Sequence, residues 1–232
     1  MKIKIKRDNK PVEYETDNPL TLLEALEEIK INDPTLGFSS GCRSSICGSC
    51  AVRVNEKEVL ACSYKVEEGD VIEPLKNVEV IKDLIVDVSK SLEKNKTAKA
   101  YLQNYNHKPL SDEDEKLNQL QSDCILCNSC YSVCPVLAVN ENFLGPFALT
   151  RVWKYVSDKR EDEVKEKIDA IQQNGVWDCT LCNECTIVCP QNISPKADIE
   201  KLRAKSSQFG YMDPNFGSFG GFGSDFGGGL QF

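Results

Sequence analysis

Cysteine is the residue type whose number and spacing in this chain could do chemistry. The twelve cysteines fall into three sets of four. Two sets share the spacing C-x2-C-x2-C-x3-C-P, and they consist of Cys124, Cys127, Cys130 and Cys134, and of Cys179, Cys182, Cys185 and Cys189. Thiolate sulfur is the soft ligand of iron-sulfur clusters, and this run is typical of chains that hold 4Fe-4S clusters. The pattern predicts two cubane clusters and transfer of single electrons.

The first set of cysteines has a different spacing. It consists of Cys42, Cys47, Cys50 and Cys62. The first three form a C-x4-C-x2-C core, which is typical of the loop around a 2Fe-2S cluster, and the fourth closes the site after a gap of eleven residues. Gly41 and Gly48 permit the tight backbone that lets N–H groups approach the sulfurs. We therefore expect one 2Fe-2S cluster in this loop.

The two similar runs predict an exchange of ligands. In chains with two such runs, the fourth cysteine of each run ligates the cluster of the other run. By this rule one 4Fe-4S cluster is held by Cys124, Cys127, Cys130 and Cys189. The other is held by Cys134, Cys179, Cys182 and Cys185. Such exchange would make this half of the chain one folding unit, so loss of either cluster should destabilise both.

Disulfides and zinc are the two other common uses of clustered cysteines. A disulfide framework requires an oxidising compartment, and residues 1–6 lack the apolar core of an export signal. Structural zinc sites use two pairs of cysteines and rarely a run of three CxxC steps followed by Cys-Pro. Zinc stays open as the alternative, more so for the first set than for the repeats.

Composition excludes some partners. The chain has 232 residues, a net charge of -8 and 28% charged residues. Nucleic-acid binding needs clustered Lys and Arg, so an acidic chain argues against a nucleic-acid partner. No apolar stretch approaches the roughly 20 residues that span a bilayer. We expect two modest domains and a cytoplasmic location. Any attachment to the cytoplasmic face of the inner membrane would be peripheral and would be made through a complex.

The elements of the first half predict a small α+β domain over residues 1–86. Alternation of apolar and polar residues from 2 to 6 and from 12 to 14 indicates a hairpin. Apolar residues at helical spacing predict a helix over about residues 21–30. Further strands are expected at 51–55, 59–61 and 71–74.

The second half repeats itself. Residues 123–135 and 178–190 agree at nine of thirteen positions with a period of 55. Residues 147–155 and 164–171 carry apolar residues at helical spacing, so this half should be mainly helical. We assign linker helices to residues 87–120, an α-helical domain to 121–208 and a Gly/Phe-rich tail to 209–232. The tail is either a disordered extension or an aromatic strip that a partner orders.

At these motifs the chain resembles the iron-sulfur subunit of succinate dehydrogenase and fumarate reductase. The likeness covers about residues 2 to 204. It rests on CRSSICGSC (42–50) with Cys62, CILCNSCYSVCP (124–135), FLGPFALTRVWKYVSDKRED (143–162) and CTLCNECTIVCP (179–190). The resemblance implies a β-grasp domain of the plant-ferredoxin type, followed by an α-helical ferredoxin domain. It also implies a partner subunit that holds FAD and handles succinate and fumarate.

The chain departs from the family at three positions. The family usually has a 3Fe-4S centre in third place because the position that matches Cys182 is not cysteine. We therefore expect a second 4Fe-4S cluster here, with 3Fe-4S as the alternative. Quinone-reactive members have Trp and His where this chain has Val139 and Thr180. This moves the resemblance toward enzymes whose third subunit is cysteine-rich and heterodisulfide-reductase-like, or toward methanogen thiol:fumarate reductases, with a membrane anchor as the alternative third subunit.

The sequence offers no substrate site. It has no G-x-G-x-x-G motif after a strand, and its one histidine, His107, falls in a polar linker. We therefore expect no catalytic residue in this chain, and bond-making belongs to a partner. Two alternatives to the succinate or fumarate complex remain: service to another flavin-dependent dehydrogenase, of the glycolate or glycerol-3-phosphate type, or a free-standing ferredoxin-like carrier.

Overall fold

The N-terminal sheet grows from a hairpin. A computed structural model of the chain describes residues 1–8, 10–17 and 19–214. Strands β1 (Lys2–Arg7) and β2 (Lys10–Glu15) pair antiparallel. Ile3 and Ile5 are fully buried while Lys4, between them, faces solvent, as the period of two in a strand requires. The predicted hairpin is confirmed.

Three further strands complete a five-stranded sheet. They are β3 (Ala51–Val54), β4 (Lys57–Leu60) and β5 (Val71–Glu73), and the strand order is β2-β1-β5-β3-β4. Strand β5 runs parallel to β1 and antiparallel to β3. The sheet buries one face against the first helix of the chain, and the three predicted strands are confirmed.

This first helix, α1 (Leu22–Asn32), begins at a capping box. The Thr21 hydroxyl accepts from the Glu24 N–H at 3.3 Å, and the Glu24 carboxylate accepts from the Thr21 N–H at 3.1 Å. Its apolar face buries Leu22, Leu23, Ala25, Leu26 and Ile29 in the core of this half. The predicted helix over 21–30 is confirmed, with its end two residues later.

A second hairpin follows, which the sequence analysis did not predict. Strands β6 (Glu79–Lys82) and β7 (Ile85–Asp87) pair antiparallel. All four residues of β6 are exposed, so the alternation that reveals a half-buried strand is missing. The turn between them carries buried Asp83, which accepts from Arg7 Nε at 3.0 Å and from the Gly37 N–H at 2.8 Å. These bonds tie the hairpin to the first sheet.

From residue 89 to residue 214 the chain is mainly helical, as predicted. Its helices are α2 (Ser89–Thr97), α3 (Asp112–Lys116), α4 (Gln119–Ser122), α5 (Ser129–Ser132), α6 (Pro135–Val139), α7 (Pro146–Val156), α8 (Val164–Ala170), α9 (Glu184–Ile187) and α10 (Pro195–Gln208). Helix α7 is central, and its Phe147, Leu149 and Val152 are buried with Ile168 and Leu202 in one core. Several cysteines of the two repeats belong to that same core.

A buried ion pair fastens the connecting segment to the helical half. The side chains of Lys167 and Glu161 are both 0% exposed, and Lys167 Nζ lies 3.0 Å from Glu161 Oε2. The same ammonium donates to the carbonyl oxygens of Lys99 and Tyr101 and to Gln103 Oε1. Since every donor finds an acceptor, the charge can be buried, and residues 99–103 are held against α8.

The segment after α10 lies beside the helical core. Tyr211 follows α10, and its hydroxyl donates to Asp169 Oδ1 at 2.7 Å. The remainder of the predicted Gly/Phe-rich tail, residues 215–232, lies outside the described residues. In residues 1–8, 10–17 and 19–214, no helix combines the length and the apolar character needed to cross a bilayer.

Candidate iron-sulfur centres

The loop over residues 41–50 gathers backbone N–H groups around sulfur. The Cys42 sulfur accepts from the N–H groups of Ser44, Ile46 and Cys47 at 3.3–3.4 Å. The Cys62 sulfur accepts from the Ser45 N–H at 3.3 Å. Donors that converge on sulfur stabilise negative charge there, which is what the thiolates and the inorganic sulfide of a cluster need.

The other two sulfurs of this set lie in contrasting surroundings. Cys47 is exposed, and its sulfur accepts from the Cys42 N–H at 3.3 Å and lies 3.1 Å from Ser49 Oγ. These bonds lower the pKa of Cys47 to about 6. Cys50 is buried beside Cys62, and burial raises its pKa to about 11. The loop thus brings the four predicted 2Fe-2S cysteines into one neighbourhood, with one side open to solvent.

Backbone conformation explains how the loop reaches this shape. Arg43, Ser45 and Gly48 have positive φ angles of 60°, 58° and 71°. Such residues turn successive N–H groups toward one side of the chain. Gly41 lies so close to the site that an added Cβ would come within 2.9 Å of Cys47 Sγ. The two glycines noted in the sequence are therefore required by space and by conformation.

The two C-x2-C-x2-C-x3-C runs form two cavities, and each cavity takes cysteines from both runs. The cysteines of the first cavity are Cys124, Cys127, Cys130 and Cys189. Phe147, Ile193 and Pro195 supply apolar walls. Burial raises the pKa of the first three thiols, of Cys130 most strongly.

The second cavity holds the remaining set. Its cysteines are Cys134, Cys179, Cys182 and Cys185. Cys185 is buried, and burial raises its pKa to about 12, whereas Cys182 is exposed. The structure thus brings the cysteines together in the same two sets of four that the ligand-exchange rule names, and their role as cluster ligands stays a prediction. The second cavity places one of its four sulfurs near solvent.

The repeat in sequence is also a repeat in conformation. Asn128 and Asn183 have φ angles of 64° and 75° and precede the short helices α5 and α9. Leu126 and Leu181, two residues earlier in each run, have φ angles of 54° and 56°. Asparagine tolerates this left-handed region better than most residues. The same backbone path therefore wraps three cysteines around each cavity.

The donor sets fit iron-sulfur clusters. Burial disfavours a thiolate unless a cation balances its charge, and cluster iron supplies that charge. All twelve cysteines are free thiols in the structure. Within the described ranges, no three His, Cys, Asp or Glu side chains converge as ligands of one metal ion. The cysteines of the two runs instead surround cavities, as ligands of a polynuclear cluster must.

The 2Fe-2S loop packs directly on the first cavity, a contact that no sequence pattern predicts. An added Cβ at Gly48 would lie 2.8 Å from the Cβ of Cys127. Gln191 Nε2 donates to the carbonyl oxygen of Ser45 at 3.0 Å, and Gln191 also lines the first cavity. These contacts join segments up to 146 residues apart. They follow from the tertiary fold alone.

Polar contacts hold the two halves together around α5. The Ser132 hydroxyl donates to Glu58 Oε1 at 2.8 Å and accepts from the Lys76 N–H at 2.8 Å. Asn77 Nδ2 donates to the carbonyl oxygens of Tyr131, Ser132 and Cys134. The sheet domain thus contacts the turn of helix between a cysteine of the first cavity and a cysteine of the second.

Val139 and Thr180 differ in their surroundings. Thr180 lines the second cavity, and Val139, at the end of α6, is 88% exposed. An apolar side chain this exposed, five residues after Cys134, leaves an uncovered apolar spot on the surface. Neither residue supplies the aromatic or imidazole group expected of a quinone-reactive protein.

Comparison with known proteins agrees with this geometry. The family model "2Fe-2S iron-sulfur cluster binding domain" matches residues 3–93, and "4Fe-4S dicluster domain" matches residues 89–193. A fumarate reductase iron-sulfur subunit of Escherichia coli is 34% identical over 231 residues, which cover 90% of this chain and 93% of that protein. The chain belongs to the family of succinate dehydrogenase and fumarate reductase iron-sulfur subunits.

Other members of this family are longer. A subunit of fumarate reductase (CoM/CoB) from Methanothermobacter marburgensis is 37% identical over 211 residues, which cover 88% of this chain and 42% of that protein. An uncharacterised iron-sulfur protein of Methanocaldococcus jannaschii is 39% identical over 225 residues, which cover 93% of this chain and 45% of that protein. The chain spans less than half the length of these two curated relatives.

A solved structure shares the fold. A chain of the Mycobacterium smegmatis Sdh1 complex superposes with a TM-score of 0.81 at 22% identity, and the match covers 91% of this chain and 97% of that one. The predicted α+β architecture, with a 2Fe-2S sheet domain followed by a helical 4Fe-4S domain, is confirmed.

Proposed function

We propose that this chain relays single electrons between a partner subunit that holds FAD and acts on succinate or fumarate, and a third subunit. The observation that carries this proposal is the arrangement of the cysteines. Each of the two cavities is lined by four cysteines, and these four come from both repeats. The loop of the first cysteine set packs on the first cavity. Three centres in contact suit a relay, and bond-making is then left to the partner.

The cysteines that would hold each cluster follow from this arrangement. Cys42, Cys47, Cys50 and Cys62 would hold a 2Fe-2S cluster. Cys124, Cys127, Cys130 and Cys189 would hold the first 4Fe-4S cluster, and Cys134, Cys179, Cys182 and Cys185 the second. Each cluster, when bound, accepts and releases one electron. The protein supplies N–H donors to the sulfurs and apolar walls that exclude water.

The order of the relay follows from two contacts. Gly48 in the 2Fe-2S loop lies against Cys127, so the 2Fe-2S and first 4Fe-4S centres are neighbours. Cys130 and Cys134 lie within or just after helix α5 and line different cavities, so the two 4Fe-4S centres are neighbours as well. The exposed Cys42 and Cys47 would form one end of the relay and the exposed Cys182 the other. The resemblance to the family implies that the 2Fe-2S end faces FAD.

The third subunit is the finer part of the proposal. With Cys182 as the fourth ligand, the last centre is a 4Fe-4S cluster rather than a 3Fe-4S cluster. Val139 and Thr180 leave it without the residues of a quinone pocket. We infer a cysteine-rich, heterodisulfide-reductase-like partner, with a membrane anchor as the alternative. The similarity to the fumarate reductase (CoM/CoB) subunit, a protein more than twice as long as the matched region, supports this choice.

Iron analysis and low-temperature EPR of the anaerobically purified chain test the cluster set. We expect about ten iron atoms per chain, no signal of an oxidised 3Fe-4S centre as isolated, and signals of reduced clusters after dithionite. A strong 3Fe-4S signal with about nine iron atoms would restore the 3Fe-4S alternative for the last centre.

The partner is tested by co-purification. A large FAD protein that accompanies the chain and reduces fumarate supports the proposed complex. A FAD protein that oxidises glycolate or glycerol 3-phosphate would place the chain in another flavin-dependent dehydrogenase. In a third outcome, the chain is recovered alone from cells whose active fumarate reductase complex does not contain it. That result would support a free-standing carrier.

A further inference from the structure

Gln191 occupies a position between two of the proposed centres. It lies two residues after Cys189, and it lines the first 4Fe-4S cavity. Its Nε2 atom donates to the carbonyl oxygen of Ser45, at 3.0 Å, in a partly buried contact. Within the described ranges, this is the only hydrogen bond between the loop over 41–50 and residues 121–208.

The acceptor of this bond belongs to a peptide group that also faces sulfur. The carbonyl of Ser45 and the N–H of Ile46 are the two ends of one peptide. The Ile46 N–H donates to Cys42 Sγ at 3.3 Å, and the Ser45 N–H, in the preceding peptide, donates to Cys62 Sγ at 3.3 Å. Gln191 is therefore one peptide unit away from a sulfur of the 2Fe-2S set.

Hydrogen bonds in such a chain strengthen one another. A donor at the carbonyl end of a peptide polarises it, and its N–H then becomes a better donor, by about 10–30% per bond in condensed-phase estimates. Reduction of a cluster adds negative charge that spreads onto its sulfurs. A stronger N–H donor to sulfur therefore favours the reduced form and raises the reduction potential.

We propose that Gln191 is a positioning residue that raises the reduction potential of the 2Fe-2S cluster by polarising the Ser45–Ile46 peptide. This inference rests on the proposed function, since it takes Cys42 as a cluster ligand. Gln191, which follows the last cysteine run, would then help to set the reduction potential of the first centre. A residue that lines one cavity thus adjusts how readily the neighbouring centre accepts an electron.

A purely structural role for Gln191 has a different consequence. If Gln191 only helped to hold the two halves together, its loss would lower stability without a change in potential. The contacts of Gly48 with Cys127 and of Asn77 with α5 are independent of Gln191. The interface should therefore persist in variants at position 191, and the potential can be measured in them.

The experiment is an EPR-monitored redox titration of the 2Fe-2S signal in the full chain, purified anaerobically with its clusters. Gln191→Leu and the nearly isosteric Gln191→Met both remove the donor to Ser45 without adding a charge. We expect each to lower the equilibrium constant for reduction of the 2Fe-2S cluster several-fold. Gln208→Leu, at an exposed position at the end of α10, is the matched control.

The outcomes separate this inference from the proposed function. Absence of a 2Fe-2S signal in the unaltered chain would overturn both. A 2Fe-2S signal whose potential is the same in the unaltered chain, Gln191→Leu and Gln191→Met would overturn the role of Gln191 alone. An equal shift in Gln208→Leu would do the same. If Gln191→Leu does not assemble its clusters, the comparison of Gln191→Met with the unaltered chain decides.

Discussion

Gly48 lies against Cys127 with no room for a side chain. Its φ angle is +71°, and an added Cβ would be 2.8 Å from the Cβ of Cys127 and 3.0 Å from the carbonyl oxygen of Ile125. One residue of the 2Fe-2S loop and one proposed ligand of the first 4Fe-4S cluster are thus in direct contact. The packing of the two halves depends on the absence of a single methyl group.

Replacement of this glycine tests the contact. Gly48→Ala should lower the melting temperature and the iron content, because it adds a steric clash to the cost of a left-handed conformation, about 1–2 kcal/mol for an L-residue. Gly69→Ala is the matched control: Gly69 has a φ angle of +85° but nothing within 4 Å of an added Cβ. Thermal melts and iron analysis compare the two. Equal losses in both variants would show that conformation alone matters at position 48.

Removal of one thiol tests the role of Cys182. Cys182→Ser should lose about one iron atom per chain and gain the EPR signal of an oxidised 3Fe-4S centre, while the 2Fe-2S signal stays unchanged. Cys189→Ser should instead alter the centre of the first cavity. If Cys182→Ser leaves both iron content and EPR spectra as they were, Cys182 is not a ligand.

The buried pair of Lys167 and Glu161 should be costly to break. Lys167→Met leaves the Glu161 carboxylate buried without its cation, and such losses typically cost about 3–5 kcal/mol in the free energy of unfolding. The double change Lys167→Met with Glu161→Gln should recover part of the loss, because it removes both charges. Chemical denaturation of the holoprotein measures the difference. A Lys167→Met variant as stable as the unaltered chain would contradict the assigned role of the pair.

Asp198 carries a charge that the fold disfavours. It is 1% exposed, and burial raises its pKa above the usual range even though Lys201 lies 3.5 Å away. Because the folded-state pKa exceeds the unfolded value of about 3.9, the ionised carboxylate destabilises the fold at pH values above the folded pKa, and this penalty fades as the pH falls. Asp198→Asn should therefore raise the melting temperature near pH 7.

The pH dependence and a second variant check this explanation. The increase in melting temperature caused by Asp198→Asn should shrink as the pH is lowered, since the carboxyl group of the unaltered chain then becomes protonated. Asp198→Ala should destabilise at every pH, because it leaves buried Gln121 Nε2, which donates to Asp198 Oδ1 at 2.8 Å, without an acceptor. A gain from Asp198→Asn that is constant with pH would exclude the buried charge as its cause.

Local patterns predicted much of this molecule. Alternation at Ile3 and Ile5, the apolar spacing after Thr21 and the helical spacing of α7 and α8 each act within a few residues, so they could be recognised without the structure. The ligand-exchange rule for paired runs leads to the same two groups of cysteines that line the cavities, while their role as cluster ligands stays a prediction.

Long-range contacts escaped prediction. Lys167 stands in a stretch rich in charge and is fully buried, because acceptors 64–68 residues earlier in the chain surround it. Gln191 and Ser45 are polar residues of ordinary type, and only the fold brings them together. Strands β6 and β7 have no buried face, so their sequences lack the alternation of apolar and polar residues that identifies a half-buried strand. Each of these features depends on a distant partner.

The sharing of cysteines between the two cavities also has a consequence for synthesis of the chain. The loop that ends at Cys62 has all four of its sulfurs early in translation. The first cubane cavity takes Cys189 and the second takes Cys134, so neither has its full set until both repeats have left the ribosome. A chain that terminates between residues 135 and 178 would contain the full cysteine set of only one of the three proposed centres.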